Sequence, residues 1–146
     1  MIITFCGHSQ CYEDRDLHSE IYKILTTYIK NDEVEFLLVD YGMFDRIARS
    51  VCEQYKNKVG KSKLTFVSPY SNDIYLKRRE SAKYYDEILL PELNVPVKYA
   101  IIKRNKYMVD KSDLIIAYIN YPFGGAYKTF MYALKTNKKI INLGKL

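Results

Sequence analysis

Short runs of unbroken apolar residues alternate with amphipathic stretches along the chain, and that alternation constrains the fold more than any other feature. Ile2–Cys6 is an apolar, β-branched run stopped by Gly7, the pattern of a strand buried on both faces. Leu17, Ile21, Ile24, Leu25, Tyr28 and Ile29 then recur at helical spacing, with Asp16 as a candidate cap and Glu20 in the first turn. Glu35–Val39 reads as a second strand, closed by Asp40-Tyr41-Gly42. A helix with Phe44, Ile47, Ala48, Val51, Cys52 and Tyr55 on one face follows. Leu64–Val67 is a third strand ending in Ser68-Pro69-Tyr70. From Ser71 to Leu93 the periodicity fades into charge and tyrosine, a helical or irregular excursion that reads as a lid or a subunit contact. Pro96 then opens a helix to about Asp110, as proline at the first helical position would. Leu114–Ile119 is a fourth strand, Gly124-Gly125 leads into a last helix through about Thr136, and Lys139–Leu143 is a fifth strand.

Strands that are apolar throughout and separated by helices predict a parallel sheet covered on both faces. The expected fold is therefore α/β: a doubly wound, Rossmann-like, five-stranded parallel sheet in a single domain spanning residues 1–146, with no linker. The apolar runs are far short of the ~18–20 residues that cross a bilayer. No secretory signal is visible at Met1–Phe5, so a cytoplasmic location is expected. The three cysteines, Cys6, Cys11 and Cys52, are odd in number and lack C-x-x-C spacing. They predict reduced, buried thiols and no metal site. A formal charge of +6 favours an anionic ligand, either nucleotide or nucleic acid.

In a doubly wound sheet, ligands sit beyond the carboxyl ends of the strands, where the winding reverses. That rule selects Gly7-His8-Ser9, Tyr41-Gly42, Pro69-Tyr70 and the segment from Asn120 to Thr129. Gly124, Gly125 and Ala126 stand between a strand and a helix, where backbone N–H groups and the helix dipole can cradle a phosphate. Lys128 and Thr129 would add a cation and a hydroxyl from the first turn. The segment is not a Walker loop, because Tyr127 stands where a glycine must precede the Lys-Thr pair. Arg104 falls on a stripe with Val97, Ile101 and Met108. An arginine there requires a ligand anion, a core carboxylate such as Asp113, or an escape to solvent. Asp45 either caps its helix or binds a ribose hydroxyl. A Cys6–His8 nucleophilic pair is disfavoured, since near neighbours at a strand end point in different directions.

Together, the strand ending in Gly7-His8, the turn Tyr41-Gly42-x-Phe44-Asp45, Lys103-Arg104-Asn105-x-x-Met108 with Asp110-x-Ser112-Asp113, and Gly124-Gly125 resemble the SLOG superfamily of Rossmann-like nucleotide-binding domains. The likeness is nearest to its small standalone members in Firmicutes and their phages. In the LOG phosphoribohydrolases of that group, an Arg-Lys-x-x-Met helix supplies an arginine to the substrate, and Arg104 matches that position. Their Pro-Gly-Gly-x-Gly-Thr-x-x-Glu loop binds phosphate and supplies a catalytic glutamate. Pro122 and Gly124-Gly125 match apart from an inserted Phe123, and Thr129 matches with a further one-residue shift. The glutamate does not match: Met131 or Tyr132 takes its place, and no glutamate follows Glu92.

The resemblance thus implies a binder of a nucleotide-derived molecule, ADP-ribose-like or a cyclic nucleotide. Such a protein would act as a sensor or a sequestering sponge in antiphage defence or counter-defence, as a homo-oligomer with no cofactor. The alternative is an N-glycosidase or deoxyribosyltransferase-like enzyme whose carboxylate is displaced, with Glu13, Glu80, Asp86 and Glu87 as candidates. A third reading is a binder of single-stranded DNA.

Overall fold

The hydrogen-bonded centre of the molecule is β1 (Ile2–Gly7), which pairs in parallel with β2 (Val34–Leu38) on one side and with β5 (Leu114–Tyr118) on the other. The computed structural model describes residues 1–11, 15–30, 32–70, 83–91 and 94–146. Among these, β3 (Ser62–Val67), β4 (Glu87–Leu89) and β6 (Lys139–Asn142) complete a six-stranded sheet in the order β4-β3-β2-β1-β5-β6, every pair parallel. The chain steps outward from β1 to β4, then returns across β1 to β5 and β6. The winding therefore reverses between β1 and β5. This is an α/β architecture of Rossmann-like type, with six strands rather than the expected five.

The extra strand lies inside the expected excursion. Residues 71–82 and 92–93, and with them most of the segment expected to be a lid or a subunit contact, lie outside the described residues. The described part is an edge strand held to the body of the sheet. Asp86 accepts from Leu64 N at 2.8 Å and pairs with Lys56, while Tyr85 packs on Phe66 with ring centroids 5.2 Å apart.

Alternate residues of each strand face opposite layers, as the period of two requires. Ile3, Phe5, Phe36 and Leu38 pack against α1 (Leu17–Tyr28) and α2 (Met43–Val59). The other face carries Cys6, Ile115 and Ala117 against Val109 of α3 (Val97–Lys111) and against Phe130 and Ala133 of α4 (Gly125–Lys135). Leu37 and Val67 meet Met108 of α3 on that side. Asp16 caps α1 by accepting from Ser19 N at 3.1 Å. Pro96 is the N-cap of α3 rather than its first residue. No helix of the described residues is long and apolar enough to cross a membrane.

The loop that leaves β5 is fixed by two asparagines. Asn142 Oδ1 accepts from Ile119 N at 2.9 Å and Gly144 N at 3.0 Å, while its Nδ2 donates to Ile119 O at 3.2 Å and Leu146 O at 2.9 Å. Asn120 Nδ2 donates to the Tyr118 hydroxyl at 3.0 Å, and Asn120 Oδ1 accepts from Lys145 N at 3.0 Å. Asn142→Ala removes four bonds and strands the buried Ile119 amide. It should lower stability by about 2–3 kcal/mol, the scale of an unsatisfied buried donor with its companion bonds. Urea unfolding checks this; a loss below about 0.5 kcal/mol would show that the loop holds itself.

Candidate functional site

A cavity of about 450 Å³ opens at the carboxyl ends of the central strands, beside the reversal between β1 and β5. Its walls bring together ten residues selected from the sequence: Gly7, His8, Ser9, Tyr41, Asp45, Arg104, Gly124, Gly125, Ala126 and Thr129. Gly42, Pro69, Tyr70 and Lys128 do not line it. Pro69 is buried, Lys128 is exposed, and the Tyr70 hydroxyl approaches Val97 O at 3.5 Å.

Two glycines let the loops after β1 and β2 meet. A Cβ on Gly7 would lie 2.2 Å from the Phe44 ring, and one on Gly42 would lie 2.4 Å from Ser9 Cα. The join is closed by Met43 N donating to Ser9 O at 2.8 Å. Gly42 thus serves packing. Its N–H donates to Asp45 Oδ2 at 3.1 Å, as does that of Tyr41 at 3.2 Å, so neither is offered to a ligand.

Asp45 performs the capping role expected of it and also lines the cavity. Both N–H bonds fall on Oδ2. Burial pushes the carboxyl up to about 6, a shift opposed by the Gly42 and Tyr41 N–H groups and the Arg104 charge and reinforced by Asp40. A buried carboxylate titrating close to neutrality, in a cleft and beside a cation, is the environment that functional carboxylates occupy.

Arg104 is 6% exposed on the inner face of α3. Its NH1 donates to Val67 O at 2.9 Å and its Nε to Asn105 Oδ1 at 2.9 Å, which fixes the guanidinium against the end of β3. Of the expected stripe, Ile101, Arg104 and Met108 line the cavity and Val97 does not; the buried residues of α3 are Ala100, Arg104, Met108 and Val109. Among the described residues, Asp45 is a carboxylate that feels the Arg104 charge. Asp113 instead accepts from Ile2 N at 2.7 Å, tying the start of β5 to β1.

The α4 N-terminus faces the same cavity. Gly124 holds φ +94, a conformation that favours glycine, and no side chain caps the helix. First-turn N–H groups at an uncapped terminus are donors for an anion. A Cβ on Gly125 would meet no protein atom within 4 Å, so that position borders open space. Thr129 turns its hydroxyl back to Gly125 O at 3.1 Å.

His8 is buried, and its Nε2 accepts from Asn120 N at 3.0 Å. An acceptor nitrogen must be unprotonated, and burial holds the imidazole below its ordinary pKa, so His8 is neutral with its proton on Nδ1. Cys6 is buried with its thiol pushed up to about 12 by burial and by the charge of Asp45, which removes a thiolate nucleophile at neutral pH. Among the described residues, no group of three His, Cys, Asp or Glu side chains could hold a metal ion. Of the carboxylates considered as replacements for the missing glutamate, Glu13 and Glu80 lie outside the described residues. Asp86 and Glu87 are engaged by Lys56 and Lys63 on the edge of the sheet, away from the cavity.

Tyr121 and Phe123, which line the rim, fall within the selected Asn120–Thr129 segment but were not singled out from it, and Asp40, which borders the cavity while pairing with Arg49 at 3.3 Å, was missed. The run Tyr121-Pro122-Phe123 directly before Gly124-Gly125 was the available signal, since a loop so placed borders any ligand at the helix terminus. Compared with known proteins, the chain matches no family model and no curated protein.

The raised Asp45 pKa carries a consequence for stability. Between the ordinary value of 3.8 and about 6, the folded chain holds a proton that the unfolded chain has released. Stability from this group is therefore fullest below pH 3.8 and is lost as pH rises through about 6. Asp45→Asn keeps an acceptor for the two N–H bonds and carries no charge. It should raise stability near neutral pH by on the order of 1–3 kcal/mol, with the gain vanishing below about pH 4. Urea unfolding at both pH values checks this; an equal effect at the two would contradict it.

Proposed function

We propose that this protein binds a nucleotide-derived small molecule, ADP-ribose-like or a cyclic nucleotide, in the cavity at the strand ends, as a sensor or sequestering protein of the SLOG type. The observation that supports this reading is the meeting, on one cavity, of a fixed guanidinium, an uncapped helix terminus opened by Gly124-Gly125, and a buried carboxylate. A phosphate would take the helix N–H groups and the Arg104 charge, which act together because both are preorganised and partly shielded from water. Asp45 would accept from ribose hydroxyls. The cavity volume falls in the range of small-ligand sites, ~300–1,000 Å³.

Asp45 also supports a second reading, cleavage of an N-glycosidic bond. That chemistry needs a carboxylate to stabilise an oxocarbenium-like transition state or to activate water, and Asp45 stands on the cavity with its carboxyl pushed up to about 6. Recovery of intact ADP-ribose after prolonged incubation supports binding alone. Release of free base, abolished by Asp45→Asn while binding is retained, would establish turnover.

The binding reading predicts that Arg104→Ala weakens ADP-ribose or AMP binding by ~1.5–3 kcal/mol, the worth of a hydrogen bond to a charged group. Gly125→Val should weaken it comparably by blocking approach to the helix terminus, with little change in thermal midpoint because a Cβ at this position borders open space. Titration calorimetry checks both. Wild-type affinity in the two variants would remove the phosphate from this end of the cavity.

A further inference from the structure

Three rings climb the cavity wall in a single stack. His8, 4% exposed, forms its floor and is held by the Asn120 N–H on Nε2 at 3.0 Å. Tyr121 lies on His8 with centroids 3.7 Å apart and planes 8° from parallel, and Phe123 lies on Tyr121 at 4.3 Å and 28°. Exposure rises along the stack to 38% at Tyr121 and 65% at Phe123. Tyr41, 76% exposed, projects from the loop after β2 and lines the same cavity.

A single exposed phenylalanine needs no explanation. This one is different because the rings beneath it are fixed at their base by a hydrogen bond to a buried imidazole, and because the next residue is the N-cap of α4. The stack and the helix terminus are thus consecutive in the chain, and both border the cavity. A rigid ring face presented to a ligand loses little conformational freedom on binding. An exposed aromatic face is sequence-tolerant in what it stacks, because every nucleobase has a π-face.

We propose that the Tyr121–Phe123 stack is a nucleobase platform, so that the ligand of this cavity carries a purine or pyrimidine ring as well as a phosphate. The base lies against the aromatic rim while the phosphate occupies the adjoining helix terminus. This rests on the nucleotide-binding reading above and deepens it by assigning the residues that meet the base.

The chain contains no tryptophan, so Phe123→Trp introduces a single fluorescent reporter at the rim. AMP and ribose 5-phosphate, which differ by the base alone, are titrated into wild type, Phe123→Leu and Phe123→Trp. The expected result is that wild type prefers AMP, that Phe123→Leu loses about tenfold or more in AMP affinity with ribose 5-phosphate unchanged, and that AMP but not ribose 5-phosphate quenches the tryptophan. Because Phe123 is exposed, its leucine variant should keep the wild-type thermal midpoint. AMP binding that depends on Arg104 but is indifferent to Phe123→Leu would overturn the platform and leave the nucleotide reading standing. Equal losses for AMP and ribose 5-phosphate would overturn it as well. Failure of wild type to bind either probe at millimolar concentration would overturn both.

Discussion

The carboxyl end of β1 is the point from which the rest of the structure is hung. β1 is paired to β2, the next strand of its own half of the winding, and to β5, the first strand of the other half. Beyond Gly7 the chain must therefore leave a sheet that continues on either side. The adjoining connections diverge, toward α2 on one face and α4 on the other, and the space between them is the cavity. His8 extends this control one residue further. Its backbone N–H donates to Tyr118 O at 3.2 Å and its ring accepts from Asn120 N, so the loop carrying Gly124 is tied to the strand that opens the site.

Electrostatics in the cavity are arranged against stability. Asp45 is desolvated enough to titrate near 6 even with two backbone donors and Arg104 acting to lower it. Burial disfavours its charged form, yet the chain places a carboxylate where a cavity, a cation and an uncapped helix terminus converge. Such local cost is expected where a ligand supplies the missing partner, because binding then returns what folding gave up. With His8 neutral and the Cys6 thiol protonated, the charges on the cavity wall are those of Asp45, Arg104 and the Arg49-paired Asp40.

Most of the fold was legible because β1, β2, β3 and β5 are largely buried, mainly apolar runs, and α1 and α2 carry clear helical stripes with an aspartate cap on α1. β4 was not, for a physical reason: Glu87-Ile88-Leu89 is three residues long, lies at an edge and is largely exposed, so burial wrote no pattern into it. Of the stripe assigned to α3, Ile101, Arg104 and Met108 line the cavity while Val97 at the helix start is exposed, because spacing alone does not say how far along a helix its cover extends. At the site, the glycines, Arg104 and Asp45 were recognisable as turn and terminus chemistry at strand ends. The burial of Asp45 and the stacking of His8, Tyr121 and Phe123 were not, because both arise only when separate loops are brought together.

The most direct test of the account is where a nucleotide perturbs the backbone amides of the intact protein in solution. Titration of ¹⁵N-labelled protein with ADP-ribose should shift the amides of Gly125 and Ala126, the Arg104 Nε resonance and the residues of the Gly7–Ser9 turn, while the far ends of β1, β2 and β5 stay in place. Shifts confined to other surfaces, or none at saturating millimolar ligand, would contradict the assignment of this cavity as the binding site.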